Sequence, residues 1–339
     1  MVVKGVVKFG WVQGVMVRCL LNIWGVMLFL RLSWVVAESG IGETLPLLIL
    51  SIGEGSLVIL LSGIVTTLTA LSMSAISTNG QVKGGGIYFM ISRSLGPEFG
   101  ASVGLIYSLA CAVGVAMHTV GFAESVGDLL RSLGTQIVDG GKNDVRIIGC
   151  IAVTVMLAIC IIGMSWEAKA TVHAQMGLLV ILVIAIVDFI IGAFVGPTSE
   201  EEVAKGFIGL NSTLLVQNFW PNYRESDGVM QSFFSIFAIF FPSATGILAG
   251  ANISGDLKDP SSAIPKGTLL AIFITTVSYI IFILLAGASV LRDATGNVTD
   301  ISGWAFTNCS EGSCHWGLHN SFQVREFSGL IVLHLWFDK

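Results

Sequence analysis

Two stretches of this chain place residues that free the backbone where a plain membrane span would carry leucine. Phe240-Phe241-Pro242-Ser243-Ala244-Thr245-Gly246-Ile247-Leu248-Ala249-Gly250-Ala251-Asn252 is apolar and of spanning length, yet it holds a proline and two glycines. Asn22-Ile23-Trp24-Gly25-Val26-Met27 sets an amide side chain and a glycine in the middle of another apolar run. Proline removes an amide donor, and glycine lets the backbone leave the helical path. Freed backbone groups at bilayer depth must be met by protein or by a polar guest, because lipid offers no partner. The chemistry open to such breaks is ion binding. A half-helix that starts after a break turns N–H groups and a positive dipole end to an anion, and one that ends before it turns carbonyls to a small cation. Gly25, Val26 and Met27, and likewise Gly246, Ile247 and Leu248, are candidate anion cradles; the carbonyls of Leu21 and Trp24 are candidate cation ligands. Gly25 alone reads as a helix-packing glycine. Two interrupted segments five spans apart are instead the pattern of inverted repeats with a midplane binding site.

The elements that must position these residues follow from composition. The chain is 54% hydrophobic and only 12% charged, with a mean hydropathy of +0.84, far from the roughly 25% charge of soluble domains. Runs near the ~20 residues that cross a bilayer fall at about 13–37, 45–77, 97–127, 146–164, 172–196, 230–254 and 267–291. The fold class predicted is an all-α polytopic membrane protein with about seven helices, the first and sixth discontinuous. Residues 1–12 read as a cytosolic end without a removable signal peptide, 292–323 as an outer loop and 324–339 as a divergent end. Lys4, Lys8, Arg18, Lys83, Arg93, Lys169, Lys258 and Lys266 then face the cytosol, a weak positive-inside bias. The net charge of −5 is dispersed and no basic cluster suits nucleic acid. The sequons at Asn211, Asn297 and Asn308 fall outside, which fits glycosylation, whereas that at Asn252 falls at the inner end of span six.

Ionisable residues inside spans mark pathways or pairs. Arg31 near the outer end of span one and Glu124 on span three are a candidate gate, or each snorkels to the headgroups; His118 lies on span three, and Asp188 on span five has no evident partner. Cys19, Cys111, Cys150 and Cys160 lie in apolar runs as small buried hydrophobes, while Cys309 and Cys314, in the outer loop, are a candidate disulfide. Gly84-Gly85-Gly86 lacks the strand and the Lys-Ser/Thr of a phosphate loop and reads as a hinge. No spacing of ligands suits a metal beyond transported ions, and no nucleophile sits beside a base, so an enzyme and a cofactor are not expected.

Leu21 to Met27, Ser92-Arg93-Ser94-Leu95-Gly96-Pro97-Glu98, Val120-Gly121-Phe122-Ala123-Glu124, Phe241 to Pro260 and Ala263 to Thr268 closely resemble the sodium-coupled branch of the cation-chloride cotransporters, solute carrier family 12. That resemblance covers roughly residues 7–320 except a stretch near 43–60. It implies the LeuT/APC-type inverted-repeat fold, chloride on the amides of the two cradles, and sodium on the carbonyls of Leu21 and Trp24. Asn22, Ile23, Pro242 and Thr245 match residues that line a potassium site in members that carry potassium. Those members have a tyrosine where Ala116-Met117-His118-Thr119 puts His118, and an imidazole supplies no hard oxygen. His118-Thr119, Phe241-Pro242-Ser243-Ala244-Thr245 and Ser313-Cys314-His315-Trp316-Gly317-Leu318 are similar to the thiazide-sensitive sodium-chloride members. The resemblance therefore implies electroneutral sodium:chloride symport at the plasma membrane, apical in epithelia, with the potassium site vestigial. The alternatives are sodium-potassium-chloride cotransport or a non-transporting truncated form.

Two departures stand against the resemblance. Residues 45–77 exceed one span, and Leu48 to Gly53 is nearly echoed by Ile59 to Ile64, as in a duplication or slipped exon boundary. Val324 to Lys339 no longer resembles the family, whose twelve-span domain supplies further sodium and chloride ligands and whose C-terminal domain forms a homodimer. The chain reads as an incomplete gene product.

Overall fold

The computed structural model describes residues 8–25, 28, 31–41, 54–80, 82, 85–162, 164–226, 228–300, 314 and 316–319. Six helices among the described residues are long and apolar enough to cross a membrane: Glu54–Thr78, Pro97–Arg131, Lys142–Ile161, Ala174–Val195, Phe233–Asn252 and Pro260–Ser289, with the shorter Val12–Ile23 before them. They define a polytopic helical membrane protein. Leu105, Ile161, Phe194 and Phe273 stand two-thirds or more exposed, an outward apolar surface suited to lipid rather than water.

Among the described residues the first span is interrupted. A π turn, Val12–Met16, leads into an α-helix, Val17–Ile23, that ends where Trp24 turns away with ψ 17° and donates its N–H to the Leu20 carbonyl. Further along, a helix runs Leu32–Ser39.

The sixth segment changes its winding instead of opening. Its α-helix, Phe233–Phe240, starts on a capping box in which Ser232 and Ser235 each accept the other's backbone N–H. From Phe241 to Leu248 the chain winds as a 3-10 helix, then makes one α turn, Ala249–Asn252. Pro242 gives the reason: it has no N–H for the carbonyl four residues back, and its ring crowds that carbonyl. The sequence led us to expect freed amides at Gly246, Ile247 and Leu248; they lie instead inside a tight i→i+3 run. Such runs seldom exceed 3–4 residues and mid-helix often mark hinges, so this eight-residue run is long for its kind.

Two compact units divide the chain: 1–25, 63–180 and 243–275 form one, and 26–62, 181–242 and 276–339 the other. The chain changes unit after Gly25 and after Pro242, within the two interrupted segments.

In the first unit the Val12–Ile23 helix lies against segment six and its successor. A Cβ at Gly250 would sit 2.4 Å from Val15 Cγ1 and 2.9 Å from Val15 Cα, and one at Gly267 would sit 3.1 Å from the Met16 nitrogen. Glycine permits this approach of backbones where no water drives helices together. Just before the helix, Phe9 pairs with the segment after span six, its N–H donating to Asp256 and its carbonyl accepting from Lys258. The long Pro97–Ser132 helix packs against Lys142–Ile162 and against a short helix, Gly86–Leu95, which begins at the last glycine of the Gly84-Gly85-Gly86 run read as a hinge; Gly84 lies outside the described residues.

In the second unit the Leu32–Ser39 helix packs on Phe233–Phe240, and the Phe240 ring meets the edge of Tyr279 at 5.4 Å. Gly40 closes the first of these helices with φ 66°, where a Cβ would fall 2.6 Å from the Phe219 carbonyl oxygen. Glu38, only 1% exposed, accepts the Arg224 N–H at 2.8 Å and lies 3.3 Å from His319 Nδ1. Arg224 holds Asp293 with two bonds of 2.7 and 2.6 Å, and Arg292 donates to the carbonyls of Asn218 and Trp220. Burial, then the neighbouring Arg224, push the Arg292 guanidinium down to about 10, so it stays charged at neutral pH. This network, absent from the sequence expectations, ties two loops to the Leu32–Ser39 helix. Glu38→Ala strands the Arg224 N–H and removes a buried carboxylate from that helix end. The expected loss is ~2–4 kcal/mol, read as a lower thermal unfolding midpoint of the purified chain in detergent, with Glu38→Gln losing less.

Candidate ion-binding site

The first unit brings the end of the Val17–Ile23 helix and the 3-10 run into contact. A Cβ at Gly246 would lie 2.6 Å from Asn22 Cβ, 2.9 Å from the Asn22 carbonyl carbon and 3.1 Å from the Ile23 nitrogen. Only glycine fits there. A Cβ at Gly25 would lie 3.3 Å from His118 Nε2, 3.4 Å from the Asn22 carbonyl oxygen and 3.6 Å from that of Leu21. Asn22, Ile23, Gly25, Gly246 and His118 thus share one locus, with the Leu21 carbonyl beside it. The last turn of a helix carries carbonyls without an intrahelical donor, and this turn includes Leu21.

His118 Nδ1 is 2.9 Å from the Gly114 carbonyl. A carbonyl can only accept, so this partner puts the ring proton on Nδ1 and leaves Nε2, the nitrogen near Gly25, as a lone pair in the neutral ring or a donor in the charged one. Neither form offers a cation a hard oxygen.

A side-chain bond also pins segment six. The buried Cys19 thiol donates to the Ile247 carbonyl at 3.3 Å. Sequence reasoning treated Cys19 as a plain apolar residue; nothing in its local pattern signals this bond. Of the four cysteines expected to be buried, only Cys19 is, while Cys111, Cys150 and Cys160 are exposed. Ser243, in the 3-10 run, is 3% exposed, and its hydroxyl has no hydrogen-bond partner among the described residues.

The other candidates fall elsewhere. Val26, Met27, Asn308 and Cys309 lie outside the described residues. Pro242 belongs to the second unit and Thr245 and Leu248 to the first. Trp24 is the residue on which the first helix ends. Arg31 and Glu124 belong to different units, Arg31 at the start of the Leu32–Ser39 helix and Glu124 on the Pro97–Ser132 helix. Asp188 keeps one buried carboxylate oxygen without a hydrogen-bond partner among the described residues. Asn211 caps the Ser212–Gln217 helix by accepting the Thr213 N–H, and Asn297 accepts that of Thr299. Cys314 is disulfide-bonded. Among the described residues no cluster of three His, Cys, Asp or Glu could hold a metal.

Interrupted membrane helices that meet at a glycine contact and line a polar locus define an ion- or solute-transport fold. The chain belongs to the amino acid permease family, whose model matches residues 14–333. It is 56% identical over 329 residues to a "Bumetanide-sensitive sodium-(potassium)-chloride cotransporter" of Manduca sexta, covering 94% of this chain and 30% of that protein. It is 54% identical to "Solute carrier family 12 member 1" of Homo sapiens, covering 94% of this chain and 28% of that one. Identity to "Solute carrier family 12 member 3" of Mus musculus is 53%, covering 96% of this chain and 32% of that one. The chain spans about a third or less of the length of these relatives. The family is one of transporters, not enzymes, and the chain joins the cation-chloride cotransporter resemblance seen in its motifs.

Proposed function

We propose that this chain carries the first part of the ion pathway of a symporter that moves sodium and chloride together, electroneutrally and by alternating access, without potassium. The observation that carries the last point is His118: its Nε2 borders Gly25 while its Nδ1 is held by Gly114. A potassium ion there would meet one nitrogen lone pair or a positive ring in place of an oxygen. The end of the first helix at Ile23 supports sodium on the carbonyls of Leu21 and Trp24, and the resemblance supports chloride on the amides of Gly25, Val26 and Met27. Chloride on Gly246, Ile247 and Leu248 requires the 3-10 run to loosen, which gives that run a role as the moving part. Asn22, Ile23, Pro242 and Thr245 are left as a vestigial potassium site. We assign Arg31 and Glu124 to an outer gate, Asn211, Asn297 and Asn308 to glycosylation, and Cys309 with Cys314 to the outer-loop disulfide. The full-length protein works as a homodimer in the plasma membrane, on the apical face of epithelia.

Sodium uptake by the full-length transporter should fall to background when chloride is replaced by gluconate, and chloride uptake should do the same when sodium is replaced by N-methylglucamine. Uptake of either ion that ignores the other overturns the reading. A three-ion reading is favoured by the Manduca sexta relative, whose name includes potassium and to which identity is 56%. Loss of sodium uptake in potassium-free medium would select it.

A further inference from the structure

Cys19 is a fully buried thiol for which the transport reading has no use. Its S–H donates to the Ile247 carbonyl at 3.3 Å, and its other polar neighbours include the backbone of Gly250 and the side chain of Thr268. Ile247 and Gly250 are three residues apart, the separation that a 3-10 helix joins by hydrogen bonds. The thiol therefore sits on one winding link, where the 3-10 run Phe241–Leu248 gives way to the α turn Ala249–Asn252. A side chain inserted at such a link changes how the helix winds. Two glycines secure the approach: Gly250 meets Val15, and Gly267, next to Thr268, meets Val15 and Met16, about one turn before Cys19. All of these residues belong to the first unit.

Thr268 is the second observation. It is 0% exposed, and its hydroxyl makes no hydrogen bond to any described residue, although the Cys19 thiol is its neighbour. Buried hydroxyls are nearly always paired, so an orphan needs a reason. A thiol is a weak donor, and it gives up little on changing acceptors. The Cys19 thiol has two acceptors close by, the Ile247 carbonyl and the Thr268 oxygen, and it uses the first.

Resting on the reading above that chloride binds the amides of Gly246, Ile247 and Leu248, we propose that Cys19 is the latch of that cradle: its thiol holds Ile247 in the 3-10 winding and passes to the Thr268 hydroxyl when the run loosens to receive the anion. Cys19 touches no ion in this account; it is a positioning residue that sets how often the cradle is open. A wound run directs its amides along its own axis to carbonyls three residues back, and so withholds them. The apparent affinity for the anion is then the intrinsic affinity scaled by the open fraction. Removing the Cys19 bond favours the open form and removing the Thr268 acceptor favours the wound one, so the two residues act in opposite directions.

The test is sodium-coupled chloride uptake by the full-length transporter, measured for wild type, Cys19→Ala, Cys19→Ser and Thr268→Val at equal surface expression. Cys19→Ala is expected to lower half-saturating chloride about threefold, the scale of one weak hydrogen bond, and Thr268→Val to raise it about threefold. Cys19→Ser keeps a donor and is expected to stay within about twofold of wild type. Plain damage to packing would not tighten chloride in one variant and weaken it in the other. Should Cys19→Ala not reach the surface, Thr268→Val and Thr268→Ser decide: the first is expected to raise half-saturating chloride and the second to restore it. Unchanged or raised half-saturating chloride in Cys19→Ala, or equal values in Thr268→Val and Thr268→Ser, overturns the proposal and leaves the symport reading intact. Chloride-independent uptake by wild type overturns both.

Discussion

Alanine at Gly246 should abolish coupled uptake, lowering it by more than about tenfold, or ~1.4 kcal/mol of coupling free energy, in protein that still reaches the membrane. The added Cβ would fall 2.6 Å from Asn22 Cβ and 2.9 Å from the Asn22 carbonyl carbon. One of those neighbours is backbone, so no rotamer change relieves the clash, and the end of the first helix must move. Overpacking of this kind costs ~1–3 kcal/mol of stability, which a membrane protein can survive. On the proposed reading the function would not survive it, because the displaced groups are the end of the first helix at Asn22 and Ile23, where we place the cation and the first cradle. Ion-dependent uptake and surface biotinylation of the same cells separate the two effects. Wild-type uptake by Gly246→Ala would show that the two interrupted segments do not work as one site.

The second large effect is expected from His118→Tyr. In the wild type, the Gly114 carbonyl fixes the ring proton on Nδ1 and Nε2 lies beside Gly25. A tyrosine replaces that nitrogen with a phenolic oxygen, a harder ligand, next to the Asn22 carbonyl. On the proposed potassium-independent reading, potassium should gain a foothold in the variant. The variant is expected to lose sodium uptake at least about fivefold in potassium-free medium, ~1 kcal/mol, while the wild type does not respond. Rubidium uptake should appear in the variant alone. A variant indifferent to potassium would mean that His118 does not set the exclusion.

Much of the architecture could be read from residue order. Pro242, Gly246 and Gly250 announce an irregular sixth segment because proline and glycine act locally, through a missing donor and a missing Cβ. The form of the irregularity was not legible: an open break and a 3-10 run both satisfy Pro242, and packing against Asn22 belongs to the choice between them. The Glu38 network was not legible either. Glu38 and Arg224 are 186 positions apart, and Arg224 and Asp293 another 69, so no periodicity links them. Cys111, Cys150 and Cys160 show a limit peculiar to membranes. Lipid is as apolar as a protein core, so hydrophobicity marks a span without saying which face is buried. Cys19 escapes that ambiguity only in three dimensions, where its thiol finds the Ile247 carbonyl.

Isotopic sodium and chloride influx, measured together in potassium-free medium on cells making the full-length transporter, reaches the central claim most directly. The account predicts equal influx of the two ions, each saturable and each vanishing when the other is withdrawn, with no change on adding potassium. Sodium influx that persists without chloride, or that appears only with potassium, would contradict it.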